Sequence, residues 1–189
     1  MTREEYINHY KEHYKSRGKT GAGTLEYLEK AKLWRDVGYE SDMTVLDYGC
    51  GVGSMAYVIP VDKYLGVDIV PQALELAKED HPDHTFKELE IGKLHTNPKD
   101  FVVAMSVFTH ALKSDVPDCL ADLKRNMKNS GFGLIDILQG EDTGDIHIRY
   151  WNLNEFFKEL NKAGFIGEVA RYISWNNGFT HTYIKICKE

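Results

Sequence analysis

Two carboxylates and three glycines stand in a pattern that can hold a cofactor. Asp47 leads directly into Tyr48-Gly49-Cys50-Gly51-Val52-Gly53, and Asp68 ends the next apolar run, Lys63-Tyr64-Leu65-Gly66-Val67-Asp68. Glycines at alternate positions permit a turn whose backbone comes unusually close to a ligand. Acids that end two successive apolar runs supply hydrogen-bond acceptors at one edge of a sheet. Together they outline a nucleotide-type cofactor site at the carboxyl edge of parallel strands. Gly51-Val52-Gly53-Ser54-Met55-Ala56 also fits the dinucleotide pattern Gly-x-Gly-x-x-Gly/Ala, with Asp68 as a ribose acceptor. Asp47 argues against that choice, because a carboxylate before the turn repels a pyrophosphate. An acid there suits a ligand that carries positive charge.

The elements that must position these residues alternate regularly. Thr44 to Tyr48 reads as a buried strand, followed by a short helix ending near Pro60 and a strand ending at Asp68. Pro71 opens a helix that runs to about Asp80. Strands are expected over His84–Ile91, Asp100–Ser106 and Gly133–Leu138, with helices over Asp115–Lys128 and Asn152–Ala163. Ile166–Trp175 and Phe179–Cys187, joined by Asn176-Asn177-Gly178, form a hairpin signal. Ahead of this lie two helical segments, one with Tyr6, Tyr10, His13, Tyr14 and Arg17 on one face and one over Thr24–Val37. The expected fold is α/β: a doubly wound, mostly parallel seven-stranded sheet with a C-terminal antiparallel hairpin and helices on both faces. One domain over 1–189 is expected, with 1–42 an N-terminal helical segment and possible lid and 43–189 the Rossmann-like core.

Composition removes several function classes. The chain has 189 residues, and a net charge of −6 disfavours a nucleic-acid footprint. Lys124-Arg125 with Lys128, the densest basic patch, reads as the solvated face of a helix. Cys50, Cys119 and Cys187 are odd in number and widely spaced, which points to reduced thiols, a cytoplasmic setting and no metal site. No run reaches membrane-spanning length. Gly18-Lys19-Thr20 invites a phosphate-loop reading, but position 13, where that motif needs glycine, is His13.

Val45-Leu46-Asp47-Tyr48-Gly49-Cys50-Gly51-Val52-Gly53 resembles the first motif of Rossmann-like, class I S-adenosylmethionine-dependent methyltransferases. Gly66-Val67-Asp68-Ile69 is similar to their second-strand motif and Asp100 to His110 to their fourth, and the resemblance spans roughly residues 44 to 187. It implies S-adenosylmethionine as cofactor. Gly49 and Gly51 would admit its backbone approach, Asp47 would serve its amino group through water, and Asp68 would accept both ribose hydroxyls. Cys50, Ile69 and Ile91 would lie against it, and Met105, Ser106 and Val107 would line the methionine moiety. Glu90 matches the acid that faces the adenine amino group, with Glu88 an alternative register and a solvated strand end the plain structural reading.

Acceptor-side residues follow from position along the sheet. His110 follows the fourth strand and could act as a base near neutral pH; otherwise it fixes a loop. Gln139 to Trp151 follows the fifth strand and offers His147 as a second base candidate, with Arg149 and Tyr150 to bind an anionic acceptor, or merely packs the loop. Tyr14 is a candidate substrate contact and Arg17 a candidate for the cofactor carboxylate. Met105-Ser106-Val107-Phe108 lacks the Asp/Asn-Pro-Pro-aromatic signature of amino-methylating nucleic-acid enzymes. The expected activity is O- or N-methylation of a small-molecule acceptor, with no nucleic-acid or membrane partner. A non-catalytic S-adenosylmethionine-binding module, another transferase and an NAD-dependent enzyme on the same fold remain the alternatives.

Overall fold

The computed structural model describes residues 2–17, 24–141, 144–145, 147–174 and 178–189. The chain forms two compact units, Met1–Glu90 and Ile91–Glu189, and its seven strands belong to one mixed sheet.

The first unit contains α1 (Arg3–Arg17), α2 (Thr24–Asp36), β1 (Val45–Tyr48), β2 (Tyr64–Asp68), α3 (Pro71–Asp80) and β3 (Thr85–Glu88). β2 runs parallel to both β1 and β3, in register Asp47↔Gly66↔Phe86. Every residue of β1 and β2 is buried, which is why these strands read as continuous apolar runs without alternation. Pro71 stands in the first turn of α3, where its missing N–H costs nothing, and Ala73, Leu74 and Ala77 form the buried stripe. α1 packs against α3, and α2 against a 3-10 turn at Ser54–Tyr57.

The second unit contains β4 (Lys99–Ala104), α4 (Val107–His110), α5 (Val116–Asn126), β5 (Met127–Gln139), α6 (Leu153–Lys162), β6 (Phe165–Ser174) and β7 (Thr180–Lys188). β4 and β5 are parallel, whereas β7 runs antiparallel to both β5 and β6, so β7 is the reversed strand the hairpin signal implied. Asn176 and Asn177 lie outside the described residues. α5 buries Val116, Cys119, Leu120 and Leu123 at helical spacing; α6 buries Phe156 and Leu160. Asn152 caps α6 by accepting the N–H groups of Asn154 and Glu155 at 2.9 and 3.3 Å.

The strand expected over His84–Ile91 is shorter, Thr85–Glu88, and the one expected over Asp100–Ser106 is Lys99–Ala104. Three further boundaries differ from the sequence expectations, each for a local reason. The short helix before Pro60 is only the turn Ser54–Tyr57, entered from Gly53 at φ 75°. The helix expected to reach Lys128 stops at Asn126, because Met127 is already extended (φ −97°, ψ 138°) and begins β5 without a loop. β5 is correspondingly longer than Gly133–Leu138. Its polar start, Lys128-Asn129-Ser130, shows no alternation, and the pairing with β4 slips between Lys99 and Phe101. Gly131 permits the close approach there, since a Cβ would stand 2.8 Å from the Asp100 carbonyl oxygen.

Two fully buried polar side chains anchor the segment before β4. Asp122 accepts the N–H groups of Gly92 and Leu94 at 2.7 and 3.0 Å and pairs with Arg125 at 2.8 Å. Asn126 accepts the N–H of Thr96 at 2.6 Å. The buried carboxylate is therefore fully partnered, which offsets its desolvation. Among the described residues no helix is long and apolar enough to cross a membrane, and no group of three or more His, Cys, Asp or Glu could hold a metal ion.

Candidate active site

In the first unit the chain leaves β1 at Tyr48 and crosses the end of β2 on the glycine turn. Gly49, Gly51 and Gly53 all have positive φ, at 75°, 54° and 75°. The turn spends the amides of Gly49, Cys50, Gly51 and Gly53 on β2 and on itself. Gly49 and Cys50 both donate to the Val67 carbonyl at 2.7 and 3.0 Å, Gly51 donates to Asp68 Oδ2 at 2.8 Å, and Gly53 donates to Cys50 O at 3.0 Å. A pyrophosphate needs such N–H groups turned toward it. What this turn offers instead is acceptors.

Asp68 receives the N–H groups of Gly51 and Val70, one on each oxygen, both at 2.8 Å. Each oxygen keeps a second lone pair for a hydroxyl donor. Burial raises the Asp68 carboxyl, and the amides of Val70, Gly51 and Ile69 oppose that shift. Asp47 is deeper. Burial pushes its carboxyl up to about 6, against the hydrogen bond from Tyr64 and the charge of Lys30, with Asp68 adding repulsion. Tyr64 donates its hydroxyl to Asp47 Oδ2 at 2.8 Å. Burial, with Asp47 and Asp68 beside it, holds the Cys50 thiol well above its ordinary range, so it stays neutral and unreactive.

The second unit builds its carboxyl edge from four separate stretches of chain. After β4, Ser106 adopts φ 60°, ψ 12°, the sole positive φ outside glycine among the described residues. Asp136 of β5 holds it there, accepting the Ser106 N–H on Oδ1 at 2.5 Å, while Oδ2 accepts Nδ1–H of His181 from β7 at 3.0 Å. His110, at the end of α4, donates from Nδ1 to the main-chain carbonyl of His147 at 2.8 Å. Burial lowers the pKa of His110, so the ring is neutral at pH 7 and carries its lone pair on Nε2. The segment behind it is stitched down by Arg149 N–H to Thr109 O (2.7 Å), Trp151 N–H to Leu138 O (2.9 Å) and Trp151 Nε1 to Phe108 O (2.9 Å). Tyr150 stacks on Phe179 with ring centroids 5.3 Å apart.

Comparison with known proteins agrees with this chemistry. The profile of the Methyltransferase domain family matches residues 39–174. The chain belongs to that family. Its fold is the Rossmann-like fold of class I S-adenosylmethionine-dependent methyltransferases. Similar curated proteins include ribosomal protein L11 methyltransferases of Hydrogenovibrio crunogenus (29% identical over 112 residues, 56% of this chain and 37% of that protein) and Vibrio parahaemolyticus (30% over 136 residues, 68% and 43%). The chain thus spans well under half the length of these relatives. Among solved structures, a TehB-like S-adenosylmethionine-dependent methyltransferase from Corynebacterium glutamicum superposes with TM-score 0.65 at 18% identity, covering 98% of this chain and 97% of that one. Magnesium protoporphyrin IX methyltransferase from Synechocystis, with bound S-adenosylhomocysteine, gives 0.70 at 14% identity, covering 97% and 94%.

Within this family the donor set fits S-adenosylmethionine: ribose hydroxyls and an ammonium need acceptors, and the turn with its two carboxylates supplies them. Asp47, Gly49, Cys50, Gly51 and Asp68 come together in the first unit through the bonds given above. Ile69 is half-buried beside Asp68, while Glu90 is exposed two residues beyond β3 and Ile91 opens the second unit. Met105, Ser106 and Val107 are half-buried at the end of β4. His110, His147, Arg149 and Tyr150 lie together in the second unit, His147 contributing its carbonyl to His110. Tyr14 falls within α1, but its side chain, like that of Arg17, lies outside the described residues.

Sequence reading missed Tyr64, Asp136 and His181. An acid inside the apolar run Gly133-Leu134-Ile135-Asp136-Ile137-Leu138 was a usable signal, since a buried carboxylate needs partners. His181 carried no local signal, because its partner stands 45 residues away.

Proposed function

We propose that the chain catalyses methyl transfer from S-adenosylmethionine to an oxygen or nitrogen of a small-molecule acceptor. The observation that carries this reading is the glycine turn, whose amides are consumed internally while two buried carboxylates face the ligand chemistry of ammonium and hydroxyl. Asp68 takes the ribose hydroxyls. Asp47 attracts the amino group through water, with Gly49, Cys50, Gly51 and Ile69 as backbone wall and Glu90 and Ile91 toward adenine. When bound, the cofactor supplies a methyl group already activated on a sulfonium, so the protein's task is to hold the acceptor in line and exclude water.

The acceptor side belongs to the second unit. His110, neutral and fixed by the His147 carbonyl, offers Nε2 as a hydrogen-bond acceptor. Arg149 and Tyr150 are further acceptor-binding groups, and Tyr14 is one more, on the reading of the N-terminal helical segment as a lid. Support for a small molecule comes from coverage. The porphyrin methyltransferase is matched over 94% of its length, and phosphoethanolamine N-methyltransferase 2 of Haemonchus contortus, at TM-score 0.68, over 53% of its length. The L11 methyltransferases are matched over 37–43%.

A label-transfer experiment separates the acceptor classes. Methyl-labelled S-adenosylmethionine is incubated with the protein and either a small-metabolite extract or purified ribosomal protein L11. Label in the low-mass fraction is expected. Label carried by L11 alone would replace the small-molecule reading with a protein acceptor.

A further inference from the structure

We propose that His181 is the general base of the reaction, set by Asp136, and that the acceptor is therefore a hydroxyl compound. This rests on the methyltransferase reading above and deepens it.

Two histidines at the carboxyl edge of the second unit hold a fixed tautomer, but their partners differ in kind. His110 donates to a neutral carbonyl, and its burial opposes taking up a proton. His181 donates to a carboxylate that is 1% exposed, and its own side chain is 24% exposed. A carboxylate stabilises the imidazolium that forms when a base takes a proton; a carbonyl does so far less. With Nδ1–H committed to Asp136, the neutral ring carries its lone pair on Nε2.

The chain bears two costs to keep this arrangement. Asp136 is buried within the apolar stretch Gly133–Leu138 of β5, and Ser106 is held at φ 60°, a conformation costing roughly 1 kcal/mol for a residue with a Cβ. The Ser106 N–H occupies Oδ1 of Asp136, which leaves Oδ2 for His181. The strained turn after β4 and the histidine on β7 thus share one carboxylate, and Asp136 and Ser106 are positioning residues for His181. Residues held in such conformations cluster at active sites, ligand clamps and switch regions.

A base is useful only for an acceptor that must lose a proton. A carboxylate acceptor is already ionised, and a neutral amine attacks with its own lone pair. A hydroxyl needs help. Its oxygen forms the new bond to the methyl carbon while its proton passes to Nε2 of His181. The electron pair of the breaking carbon–sulfur bond stays on sulfur, and the proton then leaves to solvent.

The direct test reads the ring without any ligand. Long-range proton–nitrogen NMR on protein labelled with 15N-histidine reports which nitrogen of neutral His181 bears hydrogen. Nδ1–H is expected, and an Nε2–H ring in the wild type overturns the proposal. In Asp136→Asn the side-chain oxygen is kept by the Ser106 N–H, so the amide NH2 faces His181 and drives its proton to Nε2. That variant should retain S-adenosylmethionine affinity by calorimetry and lose methyl transfer roughly 10³-fold; an unchanged rate overturns the proposal. The labelled product should be an alkali-stable methyl ether. A methylamine or an alkali-labile methyl ester sinks the assignment of a hydroxyl acceptor. Failure of the wild type to bind S-adenosylmethionine would instead refute the cofactor reading, and the tautomer measurement stands apart from it.

Discussion

The two units solve the problem of placing functional groups in opposite ways. In the first, the chemistry is local: Asp47 and three glycines are nearly consecutive, and Asp68 ends the neighbouring strand. In the second, Ser106, His110, Asp136, the His147–Trp151 segment and His181 come from stretches separated by 26 residues or more, as 110 and 136 are, except for the shorter steps between 106 and 110 and between 136 and 147. A local motif holds the part of a ligand that never changes. An assembled edge can change one segment at a time, which suits the part that decides the acceptor.

Breaking the local motif should have the largest effect. Asp68→Ala removes the partner of two amides and the proposed acceptor for the ribose, so S-adenosylmethionine affinity should fall about 100-fold, ~3 kcal/mol, in a calorimetric titration. Affinity within a few-fold of wild type would move the ribose elsewhere.

Asp47 sharpens the same side through pH. Its folded carboxyl stands at about 6 against an ordinary value of 3.8. The native state therefore binds a proton that the unfolded chain has released, and stability drains away as pH rises across that window. The contribution approaches ~3 kcal/mol at 1.36 kcal/mol per unit. Asp47→Asn has no such proton to lose. Urea unfolding should show the variant gaining on the wild type between pH 4 and pH 7; parallel curves would contradict the burial of an ionisable Asp47.

Next comes the geometry of the turn. A Cβ at Gly53 would meet Phe86 Cζ at 2.8 Å from a backbone at φ 75°. Gly53→Ala should cost about 2 kcal/mol, lowering Tm by roughly 4–8 °C. The assembled edge is expected to be more forgiving of a single change. Trp151→Phe keeps the ring packed against Phe156 but loses the bond to Phe108 O, for about 1 kcal/mol. A loss exceeding that of Gly53→Ala would invert the contrast between the two regions.

This contrast also explains what could be read from the chain. Buried parallel strands such as Val45–Tyr48 and Tyr64–Asp68 announce themselves as apolar runs, and Pro71 marks the start of α3 by its fixed φ. The reversed β7 was legible from two β-rich runs flanking Asn-Gly. Asp47 and Asp68 were legible because each ends its run. The extension of β5 back to Met127 was not, since Lys128-Asn129-Ser130 owes its strand conformation to tertiary pairing with β4. The pairing of Asp136 with His181 was hidden for the same reason: it depends on β7 lying beside β5 in the register Leu138↔His181. Nor does any residue pattern announce that Gly49, Cys50, Gly51 and Gly53 spend their amides internally, although that detail separates this turn from a dinucleotide site.

The central claim is that the turn selects S-adenosylmethionine over a dinucleotide. Isothermal titration of the wild-type chain with S-adenosylmethionine, its demethylated product and NAD tests this in one series. Saturable heat from the first two and none from NAD is the predicted result. Saturable binding of NAD with no response to the other two would contradict the account.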